Sequence, residues 1–202
     1  LDQNRHDPSR RRSAILNSAE LEFARHGYDR AKVAAVAKRA EYPLSVVYRT
    51  FPGGKIQIWN ELNDDRFDEL VKFVLPSAGD EMPPARRMID SIRAAYIFMC
   101  RHPNFLELHL REGFSWATAT DSGRGSQRRS WAAAVDIFVD MAAADGGAAT
   151  SAHFSATRIA RLAISIVQVW LYEWWHGPRD SAIEEDAERL VSFLSLWLRD
   201  ED

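Results

Sequence analysis

The chain has 202 residues, 46% hydrophobic and 27% charged, which fits a soluble globular protein of one large domain or two small ones. Its single cysteine, Cys100, excludes an internal disulfide framework and points to a reducing cytoplasm. The net charge of −3 is unevenly spread: residues 1–55 carry eleven Lys/Arg against six Asp/Glu, whereas residues 56–202 carry fifteen against twenty-three, so a basic first quarter suited to a polyanion precedes an acidic remainder.

The opening "LDQNRHDPSRRR" is too polar for a signal peptide, and none is expected. Pro8-Ser9 starts a first helix with Ile15, Leu16, Ala19 and Phe23 on one stripe, ending at Gly27. A second helix is predicted over about Lys32 to Arg39, with Val33, Val36 and Ala37 inward. A third covers about Pro43 to Thr50. After "FPGGK" comes a long helix whose Trp59, Leu62, Phe67, Leu70, Val71 and Val74 recur at threes and fours. "PSAGDEMPP" is the clearest break. Helical "ARRMIDSIRAAYIFMCRH" and "PNFLELHLRE" follow, parted by Pro103. Then come a Ser/Thr/Gly-rich loop, "SWATATDSGRGSQ", and a helical "RRSWAAAVDIFVDMAAA". Two last helices flank Gly177-Pro178. The apolar run Ile159 to Trp175 is interrupted by Arg161, Ser165, Gln168 and Glu173, so it reads as a buried helix rather than a membrane span. The expectation is an all-α protein of about nine helices, without strands, in two domains: 1–55 and 56–202.

Helices two and three are separated by "AEY", the length of a helix-turn-helix turn. In that motif the last helix enters the major groove. At 100° per residue, Val47 and Phe51 fall inward, and Leu44, Ser45, Tyr48 and Arg49 fall outward. Arg49 suits guanine or phosphate, Ser45 a base edge or phosphate, and Leu44 a thymine methyl. Lys32 opens helix two, where a cation meets phosphate well. Arg10, Arg11 and Arg12 lie where a flanking phosphate or minor-groove arm would reach. On pattern alone a three-helix packing unit with a solvated rim remains an open alternative.

The residues themselves carry a family resemblance. Ile15-Leu16, Phe23 before His26-Gly27-Tyr28, Val36-Ala37, Ala40, Val47-Tyr48, Phe51 and Lys55 resemble the N-terminal domain of the TetR family of bacterial transcriptional regulators, over about residues 10–60. The resemblance implies an all-α homodimer on a palindromic operator, usually a repressor, released by a small ligand in its C-terminal domain. It implies DNA contacts at Lys32, Leu44, Ser45, Val46, Tyr48, Arg49, Thr50 and Lys55, with Tyr48 and Lys55 on phosphate. Five features depart from the family pattern. Ala31-Lys32 replaces paired hydroxyls, Glu41 replaces a turn glycine, Pro43 a serine and Val46 a threonine. "FPGGK" is one residue longer than the common spacing. If position 41 needs a left-handed backbone, a non-glycine residue there costs about 1 kcal/mol.

The acidic remainder holds no HExxH, CxxC or phosphate loop, so no metal, cofactor or catalytic set is expected. His109 and Glu112 lie three apart, a spacing more often structural than catalytic. Aromatic residues are dense after position 95. Most belong to a core, and a subset can line a ligand cavity. Tyr96 and Met99 on one helix can face Trp131, Val135 and Trp170 on others, with His109, Gln168 and Arg161 as polar anchors. The last two helices carry apolar faces suited to pairing with their copies in a four-helix interface, which places Ile166, Trp170, Trp174, Leu190, Leu194 and Trp197 at a dimer contact. The function expected is that of a ligand-released, dimeric DNA-binding repressor. The alternative is a helical small-molecule binding or sequestering protein whose DNA recognition has degenerated.

Overall fold

A computed structural model of the chain describes residues 7–75, 83–112, 133, 136–141, 143, 155–178 and 181–197. The described residues are all helical or connecting, and the fold is all-α, with an N-terminal helix-turn-helix domain and a C-terminal helical domain. Eight helices are delimited: α1 (Pro8–Arg30), α2 (Val33–Arg39), α3 (Leu44–Thr50), α4 (Gly54–Val74), α5 (Pro84–Arg101), α6 (Pro103–Glu112), α7 (Ala156–His176) and α8 (Ile183–Trp197). Residues 136–141 are helical as well. The expected Ser/Thr/Gly-rich loop and the "PSAGDEM" break lie outside the described residues. No helix among the described residues is long and apolar enough to cross a membrane.

Two compact units divide the chain: Leu1–Phe67 with Pro103–Ser130, and Asp68–His102 with Trp131–Asp202. In the first, α1 packs on α2 and on α6, and α2 packs on α3. Pro8 takes the first helical position of α1, where its missing N–H costs nothing. Asp7 caps that helix by accepting from Ser9 N at 3.0 Å. Gly27 leaves helical geometry (φ 73°, ψ 162°), a region open to glycine alone at little cost, and this is where the regular helix stops. The unit's core joins Ile15, Leu16, Ala19 and Phe23 of α1 to Val36, Ala37, Val47, Phe51, Ile58, Trp59 and Leu62, all buried. Phe23, Tyr28 and Trp59 form a three-ring cluster with centroids 4.9–5.8 Å apart, each contact worth about 0.5–1.5 kcal/mol beyond burial. Polar ties close the rim. Arg12 reaches Glu61 and Asp65 on α4, and its guanidinium pKa is raised, chiefly by the hydrogen bond to Asp65. Arg66 donates to Glu20, both side chains being mostly buried.

In the second unit α5 packs on α8 and α7. Ser155 caps α7 by accepting from Arg158 N, and Glu184, Glu185 and Asp186 place negative charge on the first turn of α8, where the helix dipole favours it. The core here includes Met88, Ile92, Tyr96, Met99, Ile164, Leu171, Leu190 and Leu194.

Candidate nucleic-acid interface and C-terminal site

The turn between α2 and α3 is built as a helix-ending motif with two reciprocal bonds. Tyr42 N donates to Ala37 O (3.1 Å) and Glu41 N to Lys38 O (3.3 Å). The residue between helix end and return bond must be left-handed, and Glu41 adopts φ 58°. The position where the sequence lacks the family's glycine therefore does require a left-handed backbone. α3 then begins without a side-chain cap, with Pro43 at the N-cap rather than inside the helix.

α3 presents two unlike sides. Val47 and Phe51 are fully buried, as their spacing predicts. Leu44 (41% exposed), Ser45, Tyr48 (47%) and Arg49 lie outward. Four outward side chains on a seven-residue helix, two of them large and apolar or aromatic, are more than a solvated rim requires. Val46 and Thr50 are half-buried, and the Thr50 hydroxyl donates to Val46 O at 2.9 Å, which leaves it an acceptor for any outside partner. Lys32 at the N-cap of α2 is exposed, and neither it nor Arg49 makes an ion pair with the described residues. Arg10 is exposed. Arg11 is half-buried with its Nε enclosed and without a hydrogen-bond partner among the described residues. Arg12, grouped with them by sequence, is tied to α4 instead.

Lys55 is placed differently from the others. Its ammonium donates to the carbonyls of Tyr28 (2.9 Å), Asp29 (3.1 Å) and Ala31 (3.3 Å) and lies 4.6 Å from the Tyr28 ring centroid. The phosphate contact expected of it meets an amino group whose donors are already engaged.

The candidate effector residues do not form one described group. Trp131 and Val135 lie outside the described residues, as does the side chain of Trp197. His109 sits on α6 of the first unit, whereas Tyr96, Met99, Gln168 and Trp170 belong to the second. Burial lowers the His109 pKa to about 4, so its imidazole is neutral near pH 7. Tyr96 donates to Asp186 Oδ2, and Trp170 Nε1 donates to the same oxygen at 2.9 Å. Burial first, and this carboxylate second, raise the Tyr96 pKa. Tyr96 and Trp170 thus clamp α8 to α5 and α7, a role that sequence spacing did not reveal because Asp186 is ninety residues from Tyr96. Arg161, expected as a polar anchor, is exposed, as are Arg158 and Ser165, and Gln168 is buried with no hydrogen bond among the described residues. Arg87 Nε and Ser91 Oγ on α5 are enclosed without a hydrogen-bond partner among the described residues; periodicity alone gives no sign of them.

The expected pairing face also shifts. Leu190 and Leu194 are fully buried within the chain, on the side of α8 that faces its own core, so they are not available to a second chain. The accessible apolar side chains are Leu162, Val169 and Tyr172 on α7 and Phe193 and Leu196 on α8, at 38–69% exposure. Together with Ile166, Trp170 and Trp174, several of these line a groove of about 660 Å³ along α7 and α8.

Residues 15–62 match the family described as bacterial regulatory proteins, tetR family. Over this N-terminal segment the chain is similar to that family. No curated protein matches the chain in sequence. In solved structures its fold is similar to that of a TetR-like transcriptional regulator from Rhodococcus sp. RHA1, at TM-score 0.70 and 15% identity over 93% of this chain and 95% of that one. It is similar to the transcriptional regulator FadR from Bacillus subtilis in complex with stearoyl-CoA, at TM-score 0.74 and 11% identity over 90% and 96%. It is also similar to AibR in complex with isovaleryl coenzyme A and operator DNA, at TM-score 0.71 and 18% identity over 91% and 97%. The fold of these structures therefore extends over most of the chain.

Proposed function

We propose that the protein is a dimeric, DNA-binding transcription regulator, acting as a repressor that a small, largely apolar effector releases from its operator. The observation that carries the reading is the two-sided α3: fully buried Val47 and Phe51 seat the helix, and Leu44, Ser45, Tyr48 and Arg49 stand outward beside the exposed cations Lys32 and Arg10. Arg49 suits a guanine edge or phosphate, and Tyr48 a phosphate. The excess of positive charge in residues 1–55 supplies the salt-dependent part of binding.

Dimerisation rests on the exposed apolar stripe of Leu162, Val169, Tyr172, Phe193 and Leu196, an arrangement costly to leave in water. Two reading helices are also what two half-sites require. The effector reading rests on the acyl-coenzyme A ligands of two similar structures. It rests also on Ser91 Oγ and Arg87 Nε of α5, enclosed without a hydrogen-bond partner among the described residues, and on the buried Gln168 of α7, the helix that packs on α5. An effector with an apolar body and a polar or anionic head would meet them.

The test is binding to duplexes selected from a random pool by the full-length protein. Arg49→Ala and Tyr48→Phe are each expected to weaken binding to the selected duplex, Arg49→Ala by about 5- to 150-fold, the ~1–3 kcal/mol of a good base contact. Undiminished binding by both variants would sink the assignment of the reading face. Failure of the wild type to enrich any duplex, with acyl-thioester binding intact, would favour the sequestering alternative.

A further inference from the structure

We propose that Lys55 is a positioning residue for the reading helix, and not a contact to the nucleic acid. The inference rests on the DNA-binding reading above. An ammonium group has three hydrogens, and the three carbonyls of Tyr28, Asp29 and Ala31 lie at 2.9–3.3 Å from Nζ. These carbonyls follow the break at Gly27, where the regular α1 ladder ends and oxygens are left to be satisfied. The face of Tyr28 covers the same cation at 4.6 Å, and that ring is itself packed on Phe23 and Trp59. Lys55 thereby fixes the first turn of α4 to the end of α1.

What this fixes in turn is α3. Gly54, immediately before Lys55, takes φ +64° and lies so close beneath the Tyr48 ring that an added Cβ would meet Tyr48 Cε1 at 3.4 Å. Its N–H returns to Phe51 O at 2.9 Å, closing the turn after α3. Gln57 holds the other side of that turn by accepting from Gly53 N at 2.7 Å. The two glycines of "FPGGK" thus let α4 start directly under the reading helix, and Lys55 pins that start. Loss of the pin leaves the outward side chains in place but frees the platform beneath them.

The test separates this role from phosphate contact and from simple stabilisation. Wild type, Lys55→Met and Lys55→Arg are compared on a duplex selected by the wild-type protein, with Kd measured from 50 to 300 mM KCl and folding checked by circular dichroism. A phosphate contact contributes about 0.9 to the slope of log Kd against log salt. The expected result is at least about tenfold weaker binding by Lys55→Met with an unchanged slope. Lys55→Arg is expected to be weakened as well. Its planar fork cannot send three donors to three converging carbonyls, although it would serve phosphate at least as well. Near-wild-type affinity of Lys55→Arg overturns the proposal, and this variant decides the matter if Lys55→Met does not fold. A slope lowered by about 0.9 in Lys55→Met overturns it in favour of a phosphate contact. Folded variants of lower thermal midpoint but unchanged affinity overturn it in favour of a purely structural role. A wild type that selects no duplex defeats the DNA-binding reading itself, and the positioning role with it.

Discussion

Tyr96 on α5 donates its hydroxyl proton to Asp186 on α8, and Trp170 on α7 donates to the same carboxylate oxygen. One half-buried carboxylate therefore holds three helices of the second unit. Hydrogen bonds to charged groups contribute about 1.5–3 kcal/mol, and a buried acceptor deprived of a donor costs more than the bond alone suggests. Tyr96→Phe is expected to lower unfolding stability by about 1.5–3 kcal/mol, read from urea melts at constant m-value. Trp170→Phe should cost a similar amount. The two changes share an acceptor, so the double variant is expected to deviate from additivity by more than about 0.5 kcal/mol. Strict additivity would show that the two donors act separately.

The N-terminal unit was legible in sequence because its information is local. Val47 and Phe51 four apart, Leu44 and Tyr48 four apart, and the short "AEY" between two helical periods give both the helix and its phase. The second unit was legible only as helices. α7 and α8 both carry wide apolar faces, so Leu190 and Leu194 read as a pairing face although they fill the chain's own core. A hydrophobic stripe does not say which neighbour covers it. Long-range polar ties were invisible for the same reason: Lys55 to the end of α1, Arg12 to α4 and Tyr96 to Asp186 span twenty-four to ninety residues.

Glu41 is the point at which sequence departure and backbone strain meet. At φ 58° it holds the left-handed position of the helix-ending motif between α2 and α3, with both return bonds formed. An L-residue with a Cβ costs about 1–2 kcal/mol there, partly offset by the larger chain entropy that glycine loses on folding. Glu41→Gly is expected to raise stability by about 0.5–1 kcal/mol in chemical denaturation. The change also removes a negative charge from the basic unit, so DNA affinity should rise modestly at low salt and converge with wild type at high salt. Destabilisation by Glu41→Gly would mean that the carboxylate's own interactions outweigh the backbone strain.

Gly54 is constrained by its backbone. Its φ of +64° disfavours any Cβ, whereas the Cβ of an alanine would meet the Tyr48 ring at 3.4 Å, an ordinary van der Waals contact. Gly54→Ala is expected to cost about 1–2 kcal/mol of stability and, as the turn relaxes from that φ, to shift the platform beneath Tyr48. Gly53 lacks the positive φ, and its added Cβ would meet chiefly the Gln57 side chain, so Gly53→Ala should disturb the Gln57 cap and leave Tyr48 in place. Measured on a selected duplex, Gly54→Ala should therefore lose more affinity than Gly53→Ala. The reverse order would separate Tyr48 from the platform beneath it.

His109 gives the protein an acid-sensitive element. Burial on α6 lowers its pKa to about 4, below the ordinary value of 6.5. Between these two values the unfolded chain binds a proton that the folded chain refuses, so stability increases with pH across that window. The contribution is fully present above about pH 6.5 and is lost as pH falls toward 4. At 1.36 kcal/mol per pKa unit its ceiling is about 3 kcal/mol, and the partial accessibility of the side chain brings it lower. His109→Gln keeps a polar side chain of similar reach without a titrating group. The urea midpoint of this variant should change less between pH 6.5 and pH 4.5 than that of the wild type, while the two converge in their dependence above pH 7. Parallel profiles for the two proteins across the acid window would show that other groups govern it.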